Sequence, residues 1–195
     1  MRIGTAVAAA MLVTGATAGT AAAAPVTPQT GTVTYSCTFP GVAPTSSTFA
    51  GSFTTEDTVA PGSSFTLAGV HLDHVMSPAV RSLFTAAGYD AVQGSFSATI
   101  TAANATPATA TISGSFPEQP VPTLGGLTFA EDAGDLTFTA GATGPAGFAL
   151  GVQVVESLQW RRKSTGTWTA WSSTCTVKFA DPAQDRAFHP DIAIG

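Results

Sequence analysis

Trp160, Trp168 and Trp171 flank the run Arg161-Arg162-Lys163-Ser164-Thr165-Gly166-Thr167, the densest concentration of recognition chemistry in the chain. Flat indoles stack on sugar rings and anchor protein contacts, and guanidinium groups pair with anions or lie over aromatic faces. A two-residue turn at Thr165-Gly166 predicts a hairpin with Trp160 opposite Trp171 on one face and Trp168 on the other. Trp160, Trp168, Trp171, Arg161 and Arg162 are therefore the candidate ligand-binding residues. The alternative is a tryptophan packed beside a disulfide, with the cations on a solvated tip.

Two further groups carry metal-binding types. His71, Asp73 and His74 lie close in sequence, but on an extended chain His71 and Asp73 share a face while His74 points to the other, so three convergent ligands would require a turn. Glu131, Asp132 and Asp135 place three carboxylates within five residues of a turn. Calcium takes such oxygens on a flexible loop, although this spacing matches no established calcium loop and Asp is common in turns for conformational reasons. They form a weak calcium candidate; otherwise no metal and no cofactor are expected. Nucleophilic hydrolysis finds no local context either, because Gly-x-Ser-x-Gly does not occur and His71, His74 and His189 have no sequence partner that marks a triad.

These side chains must be positioned by strands. Period-two alternation recurs along most of the chain: Val33, Tyr35, Cys37 and Phe39 on a first strand, Phe49 and Phe53 on a second, Phe65 and Leu67 on a third, Val92 to Ile100 on a fourth, Ile112 to Phe116 on a fifth. Leu127 with Phe129 and Leu136 with Phe138 predict a hairpin around the Asp132 to Gly134 turn, and Phe148 to Trp160 with Trp168 to Phe179 the last pair. One segment departs from this. Val80, Leu83, Phe84 and Ala87 recur at helical spacing, Ser77 is placed to cap, Pro78 stands at the first position and Gly88 stops the run, so a short helix is expected near residues 77–87.

Met1 and Arg2 followed by an uncharged run of small and apolar residues read as a signal peptide over residues 1–24, with cleavage favoured after Ala23. Residues 25–31 are expected to be a flexible N-terminal segment and 32–195 a single domain. No later apolar run is long enough to span a bilayer as a helix. Only 10% of the residues are charged, so the polar surface must come from Thr and Ser, and without Arg2 six basic side chains face twelve acidic ones. Such a field repels nucleic acid. Two cysteines in an exported chain are most simply one disulfide, Cys37 with Cys175; a free thiol pair does not suit that compartment, and a metal site lacks further ligands nearby.

The segment Val33-Thr34-Tyr35-Ser36-Cys37-Thr38-Phe39-Pro40, the mid-chain Val92-Gln93-Gly94, and Thr174-Cys175-Thr176 followed by Asp181-Pro182-Ala183-Gln184-Asp185 resemble a secreted actinobacterial domain-of-unknown-function family with paired terminal cysteines. The resemblance implies an extracellular sandwich with the cysteines bridged, and no activity. The expected fold is all-β, an antiparallel β-sandwich, immunoglobulin-like in broad architecture, with one short helix and a Cys37–Cys175 disulfide. The expected function is a secreted, non-catalytic extracellular module that binds or stabilises a component of the bacterial cell surface. Its partner would be cell-wall polysaccharide or a surface protein. The alternatives are a secreted hydrolase assembled from His71, Asp73 or the Glu131 to Asp135 carboxylates, and a passive structural or matrix protein.

Overall fold

A computed structural model describes residues 23–39, 42–179 and 183–195. The expected signal peptide lies almost wholly outside the described residues. The strands are β1 (Pro25–Val26), β2 (Val33–Phe39), β3 (Val42–Glu56), β4 (Thr58–Val59), β5 (Ser64–Met76), β6 (Tyr89–Ala103), β7 (Ala105–Thr106), β8 (Thr109–Pro120), β9 (Leu127–Ala133), β10 (Leu136–Ala140), β11 (Gly144–Arg162), β12 (Trp168–Val177) and β13 (Ala187–Ile194), with one helix, α1 (Pro78–Ala86). The all-β expectation, the short helix and the Cys37–Cys175 bridge are all met.

The sheet also closes on itself. Its antiparallel neighbours run β3-β2-β12-β11-β6-β8-β9-β5, and β5 pairs back onto β3. The two packed layers of a sandwich are thus joined by hydrogen bonds along both edges, which removes the unpaired edges that an open sheet must protect. Cys37 and Cys175 are direct cross-strand partners on β2 and β12, so the bridge ties the first long strand of the circuit to the last.

Inward positions follow the alternation. Val33, Tyr35, Cys37 and Phe39 are buried on β2, and Val154, Leu158 and Trp160 on β11. On β5 the buried phase changes: Phe65 and Leu67 are inside, then Val70, Leu72, His74 and Met76. Gly69 sits between them at φ +60°, a left-handed conformation glycine adopts without steric cost, and the register against β3 shifts at the same place. This bulge turns His74 into the interior and leaves His71 outside.

The helix closes one end of the barrel. The Ser77 side chain accepts the Val80 N–H, Pro78 occupies the first turn, and Gly88 at φ +81° ends it, as the sequence predicts. Val80 and Phe84 are buried while Leu83 faces solvent. Phe84 stacks on Trp160 with centroids 3.7 Å apart and meets Trp171 and Phe39 edge-on. At the other end Phe53, Phe65, Phe138, Phe148 and Phe188 form a second aromatic cluster.

Three elements differ from the sequence expectation. β9 and β10 do not form a hairpin; β5 is long enough to pair with both, β9 along residues 71–76 and β10 along 64–67, so the two lie in succession on one edge. β13 has no counterpart among the expected strands, because Pro190 interrupts its pattern; it pairs with β11 and β4 outside the eight-strand circuit, where a missing N–H is tolerated. Residues 25–31 are not loose: Pro25 and Val26 pair with Glu56 and Thr55, Gln29 exchanges backbone hydrogen bonds with His189, and the Thr30 N–H donates to Gly51.

Candidate functional site

The tryptophan hairpin exists with a longer loop than a two-residue turn. The last paired residues are Arg161 and Trp168, which puts Trp160 opposite Thr169 and Leu158 opposite Trp171. The Lys163 N–H bonds to Gly88 and draws that end of β11 toward β6, and the loop closes instead by the Arg162 N–H donating to Thr167. Trp160 and Trp171 still share the inner face, one step out of register, and Trp168 faces outward. Trp160 is wholly buried, held in its stack on Phe84, so it cannot contact a ligand at the surface. Trp171 is half-buried against Phe84 and Tyr89. Arg162 donates to the Ala87 carbonyl and lies over the Tyr89 ring, which commits it to the helix end of the barrel.

Trp168 and Arg161 remain as surface chemistry. The Arg161 guanidinium carbon lies 5.8 Å from the Trp168 ring centroid and is fixed from behind by Asp90, 3.0 Å away, and by Glu118. Next to this pair the outer face of β6, β11 and β12 dips. Gln93, Gln159 and Ala170 form one cross-strand row, and Ser95, Ser157 and Ser172 form the next. Between these rows opens a shallow recess of about 570 Å³ that Gly94 and half-buried Trp171 also line; the Arg161–Trp168 row is the next row on one side and exposed Val155 stands on the other. Gln93 Nε2 donates to Gln159 Oε1 at 3.0 Å, which orients both amides. Of the candidate residues only Trp171 lines the recess; its Gln and Ser were not legible, because on the polar phase of a strand they are indistinguishable from ordinary solvated surface.

The two metal-type groups are split by the sheet. His71 stays outside, with Nδ1 2.6 Å from Asp132 and Nε2 3.3 Å from Asp73. The hydrogen bond that the imidazole donates to Asp132, reinforced by Asp73, raises its pKa against the opposing effect of partial burial. Asp135 accepts the Gly69 N–H. Glu131 points into the barrel while Asp132 points out, as neighbours on a strand must, so Glu131, Asp132 and Asp135 do not converge on one calcium ion. The same division separates His71 and Asp73 from Glu131, whereas Asp132, from the second group, joins His71 and Asp73 on the outer face.

Inside, however, Glu131 meets two other ionisable groups. His74 Nδ1 lies 2.5 Å from Glu156 Oε1, and all three side chains are fully buried. One imidazole nitrogen and one oxygen from each carboxylate fall within 4.8 Å of one another. Phe49 stacks on the His74 ring at 4.2 Å, Phe129 leans on it at 5.2 Å, and Phe116 covers Phe129. Burial, with the Glu156 charge nearby, pushes the Glu131 carboxyl up to about 9. Neither oxygen of Glu131 has a hydrogen-bond partner, nor has His74 Nε2. In the sequence His74 and Glu131 fall in separate, local groups, and Glu156 belongs to neither. The signal available was phase: each stands where its strand should be apolar, Glu156 between Val154 and Leu158, Glu131 two beyond Phe129, and His74 between Leu72 and Met76.

A family model described as a family of unknown function (DUF6801) matches residues 34–189, most of the chain. That span runs from β2 into β13 and contains the recess, the buried cluster and both cysteines. No curated protein and no solved structure matches the chain.

Proposed function

We propose that this chain, which belongs to the DUF6801 family, is an exported, non-catalytic module that binds a polysaccharide of the bacterial cell surface through the recess beside Trp168. The carrying observation is the pairing of a floor of Ser and Gln with the half-buried Trp168 indole on the neighbouring row, held in place by Arg161. A sugar ring presents hydroxyls at its edge and C–H groups on its face. The Gln159 and Gln93 amides and the serine hydroxyls suit the first, and the Trp168 ring suits the second. The floor carries no charge, which fits a neutral glycan better than an anionic one. Export is supported by the disulfide, since such bonds persist in oxidising compartments, and by the Ala24 nitrogen, which lies 2.9 Å from Asp57 Oδ1. Cleavage after Ala23 would turn that contact into an ammonium–carboxylate pair.

The test is co-sedimentation of the purified mature protein with isolated actinobacterial cell walls, for the wild type and for Trp168→Ala combined with Gln159→Ala. Saturable binding by the wild type, weakened about tenfold or more in the folded variant, supports the reading. A wild type that stays in the supernatant overturns it.

A further inference from the structure

The recess leaves the buried cluster unused, and the cluster is the least ordinary chemistry in the molecule. Its three groups come from different strands, separated by 57 and 25 positions in sequence, so no local motif brings them together. In the circuit β3-β2-β12-β11-β6-β8-β9-β5, the strand of His74 (β5) and the strand of Glu156 (β11) are four places apart in a ring of eight, on opposite walls. Glu131, on β9, is diagonal to His74, since Phe129 pairs with His74 and Glu131 with Leu72. Three polar side chains thus reach across the interior toward one point between layers of aromatic rings.

The geometry points to a resident divalent transition-metal ion of the zinc class, held between opposite walls of the barrel by His74, Glu131 and Glu156. Imidazole nitrogen with carboxylate oxygens is a donor set such ions accept, at bonds of about 2.0–2.2 Å. The donor atoms already lie within 4.8 Å of one another, and side-chain movements of about 1 Å bring them to the edges of a tetrahedron around one ion. A second carboxylate oxygen fills a fourth position. Among the described residues no Lys or Arg forms an ion pair with Glu131 or Glu156. A divalent ion neutralises both carboxylates and gives a partner to the unpartnered oxygens of Glu131. Calcium and magnesium fit poorly, because they take six or more oxygens, often including water, and Phe49, Phe129 and Phe116 keep the surroundings apolar. With every ligand fully buried, the ion would serve the fold. It would form its bonds only once β5, β9 and β11 are in register, and would stabilise the folded state over the unfolded one.

This inference is independent of glycan binding and is tested by metal content. The disulfide-intact mature protein is unfolded in denaturant with a chelator, refolded with zinc chloride or without it, and desalted; bound zinc is then measured by elemental analysis. The wild type is expected to retain about one zinc per chain. That zinc should resist chelator while the protein is folded, leave in denaturant, and raise the melting temperature by several degrees. Glu131→Gln keeps the side-chain size and should hold at least about tenfold less zinc with the same circular dichroism. His71→Ala, which removes the exposed imidazole, should retain the wild-type content. Wild-type protein refolded with zinc yet holding less than about a tenth of an ion per chain overturns the proposal. So does a folded Glu131→Gln variant that binds as much zinc as the wild type, or loss of the zinc in His71→Ala.

Discussion

Two imidazole–carboxylate contacts lie three residues apart on β5 and face opposite ways. His71 reaches Asp132 at 2.6 Å in water, with the aspartate side chain 82% exposed; His74 reaches Glu156 at 2.5 Å with both side chains fully enclosed. Residue types and distances are nearly the same, so what separates the pairs is the medium. Outside, high dielectric and salt screening leave such a contact worth little, about 0–1 kcal/mol. Inside, each charge has lost its hydration, and removing one partner strands the other. The position of a single bulge at Gly69 decides which histidine meets which fate.

The largest expected effect comes from breaking the inner pair. Glu156→Ala should destabilise the protein by about 3–5 kcal/mol in chemical denaturation, because His74 stays behind in the core without its partner. Replacing all three groups by apolar residues of similar volume should cost much less, and a triple replacement as damaging as Glu156→Ala would contradict the desolvation account. Next is the pH response of metal-free protein. Glu131 has its folded pKa raised from 4.5 to about 9, so the folded state holds a proton that the unfolded state releases, and stability falls as pH rises across that interval. In Glu131→Gln this part of the decline should vanish, which melting temperatures across the interval would show.

On the outer face, Trp168→Ala should alter stability by less than about 1 kcal/mol while weakening cell-wall binding, since the indole is only half-buried and lies under the Arg161 guanidinium. A loss of several kcal/mol would make Trp168 part of the core. The smallest effect belongs to the outer histidine. The folded pKa of His71 lies above 6.5, so its contact with Asp132 contributes fully below that pH and is lost as pH rises through the folded value. Asp132→Asn should therefore cost at most about 0.5 kcal/mol at pH 5 and nothing measurable at pH 9, after allowing for solvent screening. A cost that persists at pH 9 would mean that the aspartate acts through something other than the imidazole.

Much of the scaffold could be read directly. Ser77, Pro78 and Gly88 mark both ends of α1, and alternation in Val33 to Phe39 and in Phe148 to Trp160 marks inward faces correctly. The opposed directions of His71 and His74 were legible too, from period two alone. The hairpin register was not, because the Lys163 hydrogen bond to Gly88 is a contact with another element and leaves no trace in the local pattern. Nor was the residue that covers Trp160, since Phe84 arrives from the helix.

The sequence by itself determined the strand class, the single helix, the two cysteines that pair and a polar surface built from Thr and Ser, since alternation, capping residues and composition are properties of a chain and its nearest neighbours. Tertiary structure alone decided that the sheet closes, that the floor of the recess aligns across β6, β11 and β12, and that His74, Glu131 and Glu156 meet. Period two tells each strand which side chains share a face. Which residue stands across the barrel depends on the register of all eight strands together, in the circuit that the pairing of β3 with β5 closes.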